Sequence, residues 1–182
     1  GPGLKNTSKY EMNGSGSGGD TPTPGEGTIY EGLVSNSNDW KFDNITLPEA
    51  ATSIWSWREY NGSGYLNASG YISGTAYASE AIAYTTVDLS GKSDASVTFD
   101  HAAKFQTTLK QLCGMVVREA AIRDGFAQHP HMARGRRVDF RIVGHFSLKA
   151  YAGKKIEIGF KYGSSASGAD TWEIKNFIVS GK

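Results

Sequence analysis

Cysteine is almost absent: Cys113 is the only one among 182 residues. That excludes an intramolecular disulfide framework and any zinc or iron–sulfur centre built on several thiolates. Net charge is nearly absent too, with 19 basic against 18 acidic side chains, or +1. The chain therefore lacks the broad basic surface of a general nucleic-acid or anionic-membrane binder. No apolar run approaches the roughly 20 residues of a transmembrane helix. No signal peptide is present; Gly1-Pro2-Gly3 in place of an initiating Met reads as a tag scar, at a start from which a targeting segment can have been trimmed. Helical periodicity is scarce, with only residues 47–53 and 105–111 offering short helical patterns.

What is abundant is glycine, 23 residues, about twice the usual share of roughly 7%. With nine Tyr, eight Phe and four Trp, the composition favours strands and tight turns. Residues 1–12 are polar with no buriable face. Residues 13–27 form a Gly/Ser run followed by Thr-Pro-Thr-Pro, a linker predicted to be disordered because it cannot bury enough apolar surface to offset its ordering entropy. The folded unit is expected from 28 to 182.

From residue 28 onward the periodicity is mostly two. Strands are predicted at 28–33, 54–60, 65–68, 81–89, 95–102, 112–117, 155–162 and 172–179. Asn61-Gly62-Ser63-Gly64 supplies a hairpin turn between the second and third of these. Short alternating strands separated by Gly-rich turns predict an all-β fold, a two-sheet antiparallel β-sandwich.

Several stretches carry a resemblance. They are Trp57-Arg58-Glu59-Tyr60-Asn61-Gly62, Tyr65-Leu66-Asn67-Ala68-Ser69-Gly70-Tyr71, Val87-Asp88-Leu89-Ser90-Gly91 with Val97-Thr98-Phe99-Asp100-His101-Ala102, Ala150-Tyr151-Ala152-Gly153-Lys154-Lys155-Ile156 with Phe160-Lys161-Tyr162-Gly163, and Trp172-Glu173-Ile174-Lys175-Asn176. In this order they resemble the choice-of-anchor J, or cleaved-adhesin, jelly-roll domains of Bacteroidetes surface proteins. Residues 4–12 also resemble the end of an OB-like domain that precedes such modules. The resemblance implies a jelly roll exported to the cell surface or secreted, often on a lipoprotein, adhesive or carbohydrate-binding-like, non-catalytic and in some members holding a structural calcium ion. It points to a monomer whose partner is a polysaccharide or a surface glycan, with a structural spacer or protein-interaction domain as the alternative.

Sugars are held in water by flat aromatic faces and nearby hydrogen-bonding side chains. The stretch 55–71 supplies both. Trp55, Tyr60 and Tyr71 are the candidate ligand rings, with Arg58 and Asn67 as hydrogen-bonding partners, while Trp57 and Tyr65 are assigned to the core. The bland reading is that all these aromatics fill or rim the sandwich. A calcium ion needs several oxygen ligands from separate loops, and Glu31, Asp88 and Asp170 are candidates, together with Asp39 and Asp100. Lys175 stands where the family often has an acid, which opposes a cation there. No nucleophile elbow or His-x-x-x-His helix is present. Cys113, between apolar neighbours, reads as a core thiol.

The arginines are unevenly placed. Six of seven lie between Arg118 and Arg141; set against Glu119, Asp124 and Asp139 they make that window +3, so the remainder sums to −2. Three readings stand for 120–144. One is a long loop followed by a strand at 137–143. Another is a basic patch for sulfated or uronic-acid polymers. The third is a frame-shifted translation: read one base later, the codons for Pro130-His131-Met132-Ala133 can give Pro-Thr-Trp-Pro, as in the family, and those for residues 138–144 can give its Trp-Thr-Phe-Val-Ser-Ser-Gly strand. The coding DNA with an intact-mass measurement decides among them.

Overall fold

The computed structural model describes residues 27–32, 39–103, 112–121, 127–128 and 145–182. Among them the chain forms thirteen strands: β1 (Thr28–Gly32), β2 (Lys41–Thr46), β3 (Trp55–Tyr60), β4 (Ser63–Ser69), β5 (Tyr71–Ile72), β6 (Thr75–Ala76), β7 (Ser79–Asp88), β8 (Ala95–Ala103), β9 (Gly114–Glu119), β10 (Ala127–Gln128), β11 (Phe146–Ser147), β12 (Lys155–Ser164) and β13 (Thr171–Gly181). A short 3-10 turn, Lys149–Tyr151, leads into β12. One sheet has the order β11-β8-β13-β4-β3, with β1 also paired to β13; the other has the order β10-β9-β12-β7-β2. All pairings are antiparallel. The architecture is an all-β sandwich, as the alternating pattern predicts.

Period two explains which side chains meet. In β12, Ile156, Ile158, Phe160 and Tyr162 are buried, and in β13 Trp172, Ile174, Phe177 and Val179. These face each other across the sandwich because successive side chains leave a strand on opposite sides. Phe160 is the hub: its ring meets Phe99 at 4.9 Å, Trp172 at 5.6 Å and Phe177 at 5.9 Å, all edge-on. Each such ring removes on the order of 150–250 Å² from water, and edge-on geometry adds quadrupole attraction.

The β3–β4 hairpin, which carries most of the predicted site, follows from its turn. Asn61 and Gly62 both have positive φ, 51° and 78°, the left-handed pair a two-residue hairpin loop requires to match strand twist. Gly64 has a second reason: a Cβ there would lie 2.7 Å from Cζ2 of Trp57, so only glycine lets the indole lie over β4.

Some expectations are corrected. Residues 47–53 are not helical; Pro48 opens a single turn closed by Ala51 N–H donating to the Pro48 carbonyl at 3.0 Å, and the chain turns into β3. β2 is a strand the pattern did not reveal, because a bulge between Asn44 and Thr46 breaks its alternation. The segments 1–26, 105–111 and 137–143, and the arginine window apart from residues 118–121 and 127–128, lie outside the described residues.

Candidate functional site

The register across β3, β4, β13 and β8 sorts the predicted residues by face. Opposed residues in a ladder project on the same side. Trp55 pairs with Ala68, Ser56 with Asn67, Trp57 with Leu66, Arg58 with Tyr65 and Tyr60 with Ser63. The row of Trp55, Ala68 and Leu66 belongs to the core. Ser56, Arg58, Tyr60, Tyr65 and Asn67 therefore project from the outer side of the sheet.

Two of the five predicted ligand residues are corrected on this ground. Trp55 is fully buried: its indole N–H donates to the Ala81 carbonyl at 3.0 Å, and its ring packs 5.9 Å from Trp172. No sugar can stack on it. Asn67 is 4% exposed, beside Glu173 on β13. Tyr65, assigned to the core by sequence, is indeed buried, but on the outer face opposite Arg58. Trp57 is half-buried against the core.

Arg58, Tyr60 and Tyr71 are exposed, the two rings by 48% and 57%. Arg58 Nε donates to Ser56 Oγ at 3.2 Å, which lays the guanidinium along the strand. Tyr71 lies beyond the far end of β4. A Cβ on Gly70 would meet Ser164 and Ser79; the chain bends there, and the Ser69 hydroxyl accepts the Tyr71 backbone N–H at 3.1 Å. Tyr60 thus stands at the turn end of the β3–β4 hairpin, on the outer side with Arg58 and Ser56, whereas Tyr71 belongs to the short β5–β6 hairpin that follows a bend at Gly70. Elsewhere on the outer side of this sheet Asp100, offered by the sequence as a calcium ligand, is buried. Lys175 pairs with Asp100 across β13 and β8, and Asn176 Nδ2 donates to Asp100 Oδ2 at 2.6 Å. Asn176 is a non-glycine residue at φ 56° beside a bulge, a feature visible only in the backbone.

The calcium candidates do not converge. Asp88 pairs with Lys155 at one end of β12, while the Asp170 carbonyl lies at the Tyr162 hydroxyl, seven residues along that strand, roughly 20 Å away at about 3.3 Å per residue. Glu31 pairs with Ile178 in the other sheet, and Asp39 accepts from the Tyr30 hydroxyl at 3.2 Å. Among the described residues no three His, Cys, Asp or Glu side chains group as a metal site. The Asp88 carboxyl is held below its usual range by the Ser90 hydroxyl and backbone N–H, so a local turn engages it.

Hydroxyl and thiol groups in the interior serve packing. The Tyr162 hydroxyl accepts from Gly70 N–H at 2.9 Å and donates to the Asp170 carbonyl at 2.6 Å; burial raises its pKa. Ser164 Oγ lies 2.6 Å from Ser79 Oγ and donates to the Tyr77 carbonyl at 2.7 Å. Burial pushes the Cys113 thiol up to about 12, which leaves it a poor nucleophile. Trp172 Nε1 donates to His101 Nδ1 at 2.7 Å. An indole N–H only donates, so that nitrogen of His101 carries no proton.

No helix among the described residues is long and apolar enough to cross a membrane. No family model matches the sequence, and no curated protein is significantly similar to it. The fold has solved counterparts. The K1 cleaved adhesin domain of Lys-gingipain from Porphyromonas gingivalis W83 superposes with a TM-score of 0.50 at 14% identity, over 84% of this chain and 98% of that one. A carbohydrate-binding module, TmCBM61, solved in complex with β-1,4-galactotriose, gives 0.47 at 10% identity over 81% and 92%. The enzymatically active domain of bacteriophage CBA120 tailspike protein 4 gives 0.46 at 14% over 82% and 22%. At these identities the likeness concerns fold alone.

Proposed function

We propose that this sandwich is a non-catalytic binding module of the choice-of-anchor J type, exported to a bacterial surface, that recognises glycans through the outer strip of the β3–β4 ribbon. The observation that carries the reading is the exposure of two tyrosine rings, Tyr60 beside Arg58 and Ser56 on the outer side of β3, and Tyr71 in the β5–β6 hairpin. A half-exposed phenol ring offers its face to pyranose C–H groups. Guanidinium and hydroxyl groups satisfy sugar hydroxyls alongside, and together these discriminate a glycan from water.

A glycan array probed with the whole chain tests this. Binding to at least one polysaccharide class is expected, lost in the Tyr60→Ala/Tyr71→Ala double variant while the melting temperature stays unchanged. Absence of binding to every glycan would favour the spacer or protein-interaction alternative.

A further inference from the structure

The β5–β6 hairpin, which carries Tyr71, is held by its feet rather than by its strands. Tyr71–Ile72 and Thr75–Ala76 are two residues each, and among the described residues they pair with each other and with neither large sheet. A hairpin this short has little stability of its own. Ser73 and Gly74, with φ 49° and 85°, give its tip the left-handed pair of a two-residue turn. Its feet are Gly70 and Tyr77, and the Tyr77 N–H donates to the Gly70 carbonyl at 2.9 Å. Gly70 N–H donates to the Tyr162 hydroxyl at 2.9 Å, and the Tyr77 carbonyl accepts from Ser164 Oγ at 2.7 Å. Tyr162 and Ser164 are two apart on β12 and so leave it on one side; both are buried. Each is fixed in turn. The Tyr162 hydroxyl donates to the Asp170 carbonyl at 2.6 Å and its ring meets Trp55 edge-on at 6.5 Å, while Ser164 Oγ lies 2.6 Å from Ser79 Oγ. Gly70 completes the seat, since a Cβ there would run into the Ser164 hydroxyl.

Resting on the glycan reading above, we infer that Tyr162 and Ser164 are positioning residues for that binding. Both are buried, so neither touches the ligand. Together they hold the feet of the β5–β6 hairpin, so that the exposed Tyr71 ring meets a pyranose face from a backbone already ordered. A ring on a loose loop must be immobilised when the ligand arrives, and that ordering cost is taken from the affinity. Hydroxyls seated in the sandwich meet it during folding instead. Phenylalanine and alanine would fill the same space in the interior; what the two hydroxyls add is the grip on the hairpin. Tyr60 lies on β3, outside this seat, and supplies the control.

The experiment combines amide hydrogen exchange with calorimetric titration of the whole chain. The probes are cello-, manno-, xylo- and galactohexaose and any glycan that the array identifies. Tyr162→Phe and Ser164→Ala release one foot each, and either suffices for the test. Exchange at the Tyr77 amide is expected to accelerate about tenfold or more, the loss of one tether, while amides in the middle of β12 and β13 keep their protection. Binding of the preferred glycan should weaken about three- to tenfold. The deciding measurement is a pair of double-mutant cycles. Added to Tyr71→Ala, either hydroxyl variant should cost no further affinity; added to Tyr60→Ala, it should cost its full factor. A general loss of stability would act equally in both backgrounds. Melting curves check that each variant is folded at the titration temperature. The positioning role is overturned, and glycan binding stands, if the hydroxyl variants bind as the parent does, if Tyr71→Ala binds as the parent does, or if the losses add on Tyr71→Ala. A parent chain that binds none of the hexaoses and nothing on the array removes both the reading and the inference.

Discussion

The outer sides of the two sheets are built from the same kinds of residue and dispose of them differently. On the β9–β12–β7 side, charges close on one another. Arg118 meets Glu157 at 2.5 Å and lies over the Tyr84 ring at 5.7 Å. Lys161 meets Glu80 at 3.6 Å, and at the end of the sheet, in register with core-facing Ile156, Glu119 meets Lys154 at 2.9 Å. On the β3 side, Tyr60 stands open, and Arg58 is held by a neighbouring serine. A face whose groups satisfy each other is a wall. One whose rings and donors face solvent can exchange water for a ligand. Substitutions on the two sides are therefore expected to separate, with stability responding on one and binding on the other.

The largest effect should come from the core that both faces share. Phe160→Ala removes the ring on which Phe99, Trp172 and Phe177 converge, and a loss of about 3–5 kcal/mol in denaturant unfolding is expected, with binding lost as the fold fails. Next in size is Glu157→Gln. Its side chain is 7% exposed and that of Arg118 14%, so the variant leaves a largely desolvated guanidinium without its counter-charge and should cost about 1–2 kcal/mol. Lys154→Ala provides an internal contrast. That pair is 45% and 33% exposed, and about 0.5 kcal/mol or less is expected. Neither should alter glycan titrations. Smaller still in stability, Tyr60→Ala and Arg58→Ala should change unfolding by no more than about 0.5 kcal/mol while weakening the proposed glycan binding. Equal loss of stability and binding from any of these single changes would erase the distinction between wall and strip.

How much of this was legible in the sequence depends on what alternation can tell. In β7, β8, β12 and β13 the pattern located the strands to within a few residues, because one face of each is uniformly apolar. It identifies residues that share a face without saying which face is the core. Trp55 and Trp57 are two apart and share one, yet Trp55 was assigned to a ligand and Trp57 to the core. The structure puts both inward and buries the first completely. Tyr65 shows the converse: burial was foreseen, but its pairing with Arg58 puts it on the outer side. That register is a long-range fact which no local window contains. β2 escaped notice for a different reason, since its bulge spoils the period and it offers only Phe42 to the interior. The exposed pair Tyr60 and Tyr71 is legible as candidates, whereas the bend at Gly70 that puts Tyr71 into a separate hairpin is a backbone fact.

The smallest expected effect sits at the rim of the self-satisfied side, where Asp88 ends β7 opposite Lys155. Its carboxylate accepts the Ser90 hydroxyl at 2.6 Å and the Ser90 backbone N–H at 3.0 Å. Both bonds favour the charged form, the hydroxyl more, and hold the pKa below the ordinary 3.8. A depressed folded-state pKa means that this carboxylate's contribution to stability is fully present above its unfolded value and disappears as pH falls through the folded one. Ser90→Ala removes the hydroxyl and keeps the backbone donor. The Asp88 side-chain carbon, followed by NMR between pH 2 and 6, should therefore titrate at a higher pH than in the parent, with a partial rather than complete return to the ordinary range. The group is fully solvated, so the change should be visible in its titration curve and nearly invisible in unfolding at neutral pH. A parent carboxyl that already titrates in the ordinary range would mean that the Ser90 turn does not engage it in solution. The claim that this side of the sandwich satisfies its own charges would then rest on the Arg118, Lys154 and Lys161 pairs alone.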